Sequence, residues 1–321
     1  MNEQESPHVL IADWAAANVD TERKQLGQAG ITLSLAGING THTLDEKREL
    51  LKQAIQATPR IDALMFCIAP IDAEIINLLP EHCKLLQRNG TGLDNVDLEL
   101  AAQRGKTVRN TPQYCVEEVA VHAMSMLLGL HRQLDATQQR LLSGGWSGLT
   151  PAPIRRLTTL TLGVLGFGRI GYKLGELMHP LVERVVYYDT ISNPSATWSA
   201  KVSLDELLTT ADLISIHLPL MPETRHLINA DTLSTMKQTA ILVNAARGAL
   251  VEPHALATAL NQGALGGAGL DVFEPEILAI DSPLRTAKNI LLTSHTAWYS
   301  EDSIQDARNE AVESVIAYLT S

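Results

Sequence analysis

Cysteine, aromatic residues, positive charge and long apolar runs are all in short supply in this chain. Only three of its 321 residues are cysteines, Cys67, Cys83 and Cys115. Their odd number and wide spacing give neither a CxxC motif nor a disulfide frame, and no metal is expected. A reducing cytoplasm is the expected setting. Lys and Arg number 25 against 36 Asp and Glu, for a formal net charge of -11. No basic run or aromatic-basic cluster occurs, which excludes a nucleic-acid groove and disfavours an acidic membrane surface. No stretch approaches the ~18 apolar residues of a membrane span. The longest candidate, Met124 to Leu130, is bounded by His122 and His131. Residues Met1 to Pro7 are polar, with acids at Glu3 and Glu5, and lack the marks of a secretion signal.

What is present describes a folded globular protein. Hydrophobic residues make up 45% of the chain and charged residues 19%, enough apolar surface to offset chain entropy. The length suggests about two domains, each with its own core. Short apolar runs alternate with helical stretches from end to end, the pattern of parallel sheets covered by helices. His8–Asp13, Ile31–Ala36, Ala63–Ala69, Lys84–Arg88 and Thr107–Arg109 are predicted strands. Thr43 followed by Glu46 predicts a capping box opening a helix toward Ala57. A further helix is predicted from Asn95 to Arg104, ended by Gly105. One long helix is predicted from Glu117 to Leu142, then a loop marked by Pro151 and Pro153. A second α/β series runs from Thr159 to about Thr293, and a final helix is capped by Ser300.

The segment Thr159–Gly171 contains Gly166-x-Gly168-x-x-Gly171 between a strand-like and a helix-like run. Alone, GxGxxG is weak; its context makes it a dinucleotide fingerprint. A second strand, Arg184–Tyr188, is followed by Asp189, 18 residues after Gly171. Gly166 permits the tight turn, Gly168 lets the backbone approach a pyrophosphate, and Gly171 lets helix and strand pack closely. The N–H groups near Arg169 and Ile170 open the helix and face the phosphates. Asp189 accepts from the ribose hydroxyls. A 2′-phosphate at ~4 Å from it would be repelled by about 4 kcal/mol per charge pair at an effective dielectric near 20. No Arg follows Asp189 to offset this, so NAD is expected rather than NADP. The fingerprint lies mid-chain, so the first 110 or so residues must form another domain.

Three downstream segments complete the pattern: Leu242–Glu252 (LVNAARGALVE), Gly266–Glu276 (GGAGLDVFEPE) and Leu291–Ser300 (LLTSHTAWYS). With Gly90–Asp97 (GTGLDNVD), Asn110–Val119 (NTPQYCVEEV) and His217–Leu227 (HLPLMPETRHL), the chain resembles the D-isomer-specific 2-hydroxyacid dehydrogenase family from about Ile61 to Leu319. The resemblance implies an α/β fold with two Rossmann-like domains, doubly wound parallel sheets and a cleft between them. The expected division is residues 1–112 plus 297–321 for substrate binding and 113–296 for NAD. It also implies catalytic roles for Arg247, Glu276 and His295. Arg247 would bind the acid and stabilise the developing alkoxide with its fork of donors. His295 would exchange the proton at the reacting oxygen, as imidazole can near neutral pH. Glu276 would orient that imidazole. Glu274 competes for this role, but the spacing of five from Asp271 selects Glu276. The family usually places Pro after this acid, where Ile277 stands here.

Further expectations come from the same resemblance. Thr224 and the His217–Pro219 turn would border the adenosine half. Asp271 and the Ala245 backbone would hold the nicotinamide amide. The N–H groups of Thr91 and Gly92 would receive the substrate carboxylate, and Trp298 would line the substrate pocket or pack at the domain seam. The region after Pro112 implies a homodimer, with Ala120–Leu130 as an apolar face that would also suit a core helix. Val121 departs from the Asp or Glu often found there. The function implied is hydride transfer between nicotinamide and C2 of a small 2-oxo or 2-hydroxy acid such as glyoxylate or hydroxypyruvate. The formate dehydrogenase branch pairs its histidine with Gln rather than Glu. Phosphoglycerate dehydrogenases often carry a regulatory domain; the sequence runs only two residues past Leu319, so none is expected. The alternative is a non-catalytic NAD-sensing interaction protein of the corepressor type.

Overall fold

Segments such as Ala63–Phe66 and Leu213–Ile216 are buried along their whole length, as strands covered on both faces must be. The computed structural model describes residues 6–14, 18–191 and 196–321. These form two compact units, Met1–Cys115 with Tyr299–Ser321, and Val116–Trp298.

In the first unit, strands β1 (His8–Asp13), β2 (Thr32–Ile38), β3 (Ala63–Phe66), β4 (Leu85–Arg88) and β5 (Thr107–Arg109) alternate with helices α1 (Asp20–Gln28), α2 (Leu44–Ala57), α3 (Ala73–Leu78) and α4 (Leu98–Gln103). The sheet is parallel, in the order β2-β1-β3-β4-β5. Leu10, Leu64, Phe66 and Leu86 pack on one face with Leu51 and Ile75; Val9, Ile11, Met65 and Leu85 pack on the other. The Thr43 capping box is present.

The second unit opens with α5 (Val116–His131) and α6 (Leu134–Leu142). It continues through β6 (Thr161–Leu165), α7 (Arg169–Met178), β7 (Arg184–Tyr188), β8 (Ser199–Lys201), α8 (Leu204–Thr210), β9 (Leu213–Ile216), α9 (Ala230–Thr235), β10 (Ile241–Asn244), α10 (Pro253–Gln262), β11 (Gly267–Leu270) and β12 (Ile290–Leu292). Its parallel sheet has the order β12-β11-β10-β9-β6-β7-β8. The order reverses between β6 and β9, where ligands of such sheets bind at the carboxyl ends. The last helix, α11 (Glu301–Leu319), belongs to the first unit and carries a capping box at Ser300.

Three predicted elements differ. The strand from Ala63 stops at Phe66, because the buried Asp13 carboxylate accepts from the N–H groups of Cys67, Ile68 and Ala69 at 2.9, 2.6 and 3.3 Å. The helix expected from Asn95 starts at Leu98; Asp97 caps it, and the Asn95 amide is held by the Cys67 and Ala69 carbonyls. The long helix expected over 117–142 is two helices. Gln133 takes a left-handed φ of 51°, and its amide exchanges hydrogen bonds with the Ala152 backbone in both directions, at 2.9 and 3.0 Å.

Helix α11 is tied to α1 by a buried ion pair. Arg308 donates to the fully buried Glu22 at 2.5 and 2.8 Å, and the Trp14 indole donates to the same carboxylate at 3.1 Å. Removing the anion strands a desolvated guanidinium. Glu22→Ala is expected to cost about 3 kcal/mol, read as a lowered urea midpoint. A loss below about 1 kcal/mol would place the pair with solvated surface bridges.

Candidate functional site

The glycine turn after β6 is built by close contacts. Gly166 sits at a φ of +90°, and a Cβ there would lie 2.6 Å from the His217 carbonyl carbon. A Cβ on Gly171 would lie 2.0 Å from the Gly166 oxygen, whereas Gly168 faces open space. Gly168 is the N-cap of α7 and offers no side chain to it. The first-turn N–H groups at Arg169 and Ile170 therefore have no side-chain cap and suit an anion. A tight turn, open space above its middle glycine and a free helix start fit a dinucleotide pyrophosphate.

Asp189 ends β7 beside this turn. Its carboxylate accepts from Phe167 N–H at 2.6 Å and from Ile191 N–H at 3.0 Å. It therefore helps shape the glycine turn, while its remaining lone pairs can accept ribose hydroxyls. The half-buried His217 lies 2.9 Å from Ser215 Oγ, and desolvation pushes its pKa down to about 4. The neutral ring favours the folded state above the ordinary histidine range; that contribution fades as pH falls from about 6.5 toward 4. The Thr224 hydroxyl closes its own turn, donating to the Pro219 carbonyl at 2.7 Å and accepting from Met221 N–H at 2.8 Å.

The catalytic candidates follow three neighbouring strands, β10, β11 and β12, at their carboxyl ends. After β10, the fully buried Asn244 shapes the turn: its amide donates to the Arg247 carbonyl at 2.8 Å and accepts from Ala246 N–H at 3.0 Å. That turn carries Ala245 and the half-buried Arg247. After β12, His295 adopts a left-handed φ of 54°, a conformation costing a non-glycine residue about 1–2 kcal/mol. The turn is held from below. Asp271 accepts from Thr293 Oγ1 at 2.5 Å, Thr296 N–H at 2.9 Å and Ala297 N–H at 3.0 Å. The Asp271 carbonyl accepts from His295 N–H at 2.7 Å. His122 of α5 reaches Thr293 Oγ1 at 3.0 Å and lies 3.7 Å from the Asp271 carboxylate. His295 Nδ1 is paired with Glu276 Oε1, leaving Nε2 as the other ring nitrogen for proton exchange. Both side chains are about half exposed, 46% for His295 and 53% for Glu276.

Asp271 organises the His295 turn from the end of β11. Its side chain has no exposed surface; Oδ1 accepts from Thr293 and Thr296, and Oδ2 from Ala297 N–H. Trp298 is half-buried, three residues beyond His295. In the first unit, the turn after β4 carries Thr91 and Gly92. Arg88 donates to the Gly92 carbonyl and, at 3.1 Å, to the Cys67 carbonyl, while Asn110 donates to the Thr91 carbonyl at 2.6 Å. The carbonyls are thereby pinned, and the N–H groups of Thr91 and Gly92 have no acceptor among the described residues. Sequence reasoning missed Asp13, Asn244 and His122. Asn244 and Asp13 stand at strand ends, which is the one signal that could have marked them. A cavity of about 820 Å³ lies at the amino ends of β9 to β12, lined by Leu213, Ile241, Gly266 and Ile290. It is at the opposite end of the sheet from these side chains.

The sequence pattern of the D-isomer specific 2-hydroxyacid dehydrogenase NAD binding domain matches residues 124–297. A glyoxylate reductase of Korarchaeum cryptofilum is 34% identical over 282 residues, covering 85% of this chain and 84% of that protein. A D-3-phosphoglycerate dehydrogenase of Mycobacterium tuberculosis is 37% identical over 313 residues, 96% of this chain but only 56% of that longer protein. Among solved structures, D-lactate dehydrogenase from Aquifex aeolicus, complexed with NAD and lactic acid, superposes with a TM-score of 0.83 at 27% identity, covering 98% of this chain and 95% of that one. The chain belongs to the D-isomer-specific 2-hydroxyacid dehydrogenase family of NAD-dependent oxidoreductases.

Proposed function

We propose that Arg247, Glu276 and His295 carry hydride transfer at C2 of a small 2-oxo or 2-hydroxy acid, with glyoxylate and hydroxypyruvate as the preferred class. The observation that carries this reading is the pairing of Glu276 with His295 Nδ1 at the carboxyl end of the sheet that bears the dinucleotide turn. NAD, when bound, accepts or supplies the hydride. The turn at Gly166, Gly168 and Gly171, with the helix start at Arg169 and Ile170, holds its phosphates. Asp189 serves the ribose, and the His217–Pro219 and Thr224 turn the adenosine side. Asp271 and the Ala245 backbone hold the nicotinamide amide.

The chain's own groups handle the acid and the proton. Arg247 binds the substrate carboxylate and carbonyl and stabilises the alkoxide. His295 Nε2 gives a proton to that oxygen in reduction and takes it in oxidation. Glu276 fixes the tautomer by accepting from Nδ1–H. The first unit's Thr91–Gly92 turn offers two N–H groups to a carboxylate, and we assign substrate binding to that unit. Trp298 is assigned to the substrate side. An intact acid–base pair, and relatives named as reductases and dehydrogenases, disfavour a purely NAD-sensing interaction protein.

We also assign a second copy of the chain to α6 and the loop after it. The α5 face expected to dimerise is used internally, with Ala120, Ala123, Met126 and Leu127 in the unit's own core. Helix α6 buries no residue, and Leu142 and Trp146 are 72% and 89% exposed. Large apolar groups clustered this way mark association surfaces. Cys67, Cys83 and Cys115 form no disulfide among the described residues, and we assign the chain to a cytoplasmic setting.

Two outcomes test these readings. His295→Ala is expected to lower kcat for NADH-dependent glyoxylate or hydroxypyruvate reduction by about a hundredfold to ten-thousandfold, with NADH binding by fluorescence retained. Normal turnover would remove His295 from the mechanism. Leu142→Glu combined with Trp146→Glu is expected to yield monomers in sedimentation velocity where the parent chain is a dimer; an unchanged dimer would move the interface elsewhere.

A further inference from the structure

The Glu276–His295 pair has a weakness. Glu276 is half exposed, sits in an irregular loop, and among the described residues makes its one side-chain hydrogen bond with His295. Something must hold that loop if the carboxylate is to meet the ring. On its far side, Arg285 donates to the carbonyls of Leu278 and Ala279 at 2.7 and 2.8 Å. On its near side, the anchor is Glu274. Its carboxylate accepts from Arg225 Nη2 at 2.5 Å and lies 2.9 Å from His226 Nε2.

Both partners stand on the turn before α9. His226 holds a left-handed φ of 50°, and its N–H donates to the Ala249 carbonyl at 2.8 Å. Ala249 lies two residues beyond Arg247. A second contact runs the same way: a Cβ on Gly248 would lie 2.0 Å from the Phe273 backbone. The segment bearing Arg247 and the segment bearing Glu276 are thus braced together by backbone packing and by one carboxylate.

We infer that Glu274 is a positioning residue, whose bridge to Arg225 and His226 holds Glu276 in register with His295 relative to Arg247. This rests on the catalytic reading given above for Glu276 and His295. The three side chains of the bridge are between about a third and half exposed. Ion pairs so placed add little to global stability, so the bridge should be felt in the rate and not in the melting temperature.

The test is a double-mutant cycle in the full chain, read as kcat, KM and the pH profile of kcat for keto-acid reduction, with NADH Kd by fluorescence and Tm alongside. Glu274→Ala is expected to lower kcat about tenfold, leave KM and Tm nearly unchanged, and move the pH profile toward that of Glu276→Gln. Glu274→Gln, which keeps one acceptor, should recover part of the rate. Added to Glu276→Gln, Glu274→Ala should do nothing further, because the two act through one contact. An unchanged kcat and pH profile in Glu274→Ala would overturn the inference. So would effects that multiply in the double variant, or a loss of rate that tracks a rise in NADH Kd or a fall in Tm. Should Glu274→Ala fail to fold, Arg225→Gln and Glu274→Gln carry the same comparisons. If Glu276→Gln alone kept full activity, the catalytic reading itself would fail, independently of Glu274.

Discussion

A single buried carboxylate decides where the imidazole stands. Asp271 takes the hydroxyl of Thr293 and the N–H groups of Thr296 and Ala297. Those bonds offset the left-handed conformation of His295 between them. Strained residues persist where their surroundings over-determine them, and here the determinants come from β11, β12 and α5 together. The His295 side chain is half exposed, yet its backbone is fixed by a group with no exposed surface.

The same division of labour recurs around the second sheet. Asn244 sets the Arg247 turn, Asp189 sets the glycine turn, and Thr224 closes its own loop. Each is a short polar side chain bonded to backbone N–H or C=O, the first two at or just beyond a strand end and Thr224 in the loop after β9. Parallel sheets place all such loops on one edge. A few inward-turned polar groups can therefore organise a whole reaction surface without disturbing the apolar layers beneath.

Much of this was legible in the residues. The glycine spacing, the acid after β7 and the alternation of strands and helices depend on local pattern, and the structure reproduces those elements. Glu276 and His295 meet, although 19 residues separate them. What the pattern could not show were long-range polar bonds. Asp13 cuts β3 short from more than 50 positions away. Gln133 splits a helix whose propensity is continuous, because its amide finds a partner at Ala152. The hold of Asp271 on the His295 turn was hidden for the same reason: its burial and partners are tertiary facts. The apolar face of α5 was ambiguous between core and interface, and only its packing against β10 and β11 separates them.

The Gln133–Ala152 bond also has an evolutionary side. It closes the excursion from Leu134 to Pro151 at its base, much as a rung closes a ladder. Changes within that excursion leave its two ends joined. The segment is thus free to drift residue by residue, while the carboxyl ends of the strands, where Arg247, Glu276 and His295 stand, answer to separate selection.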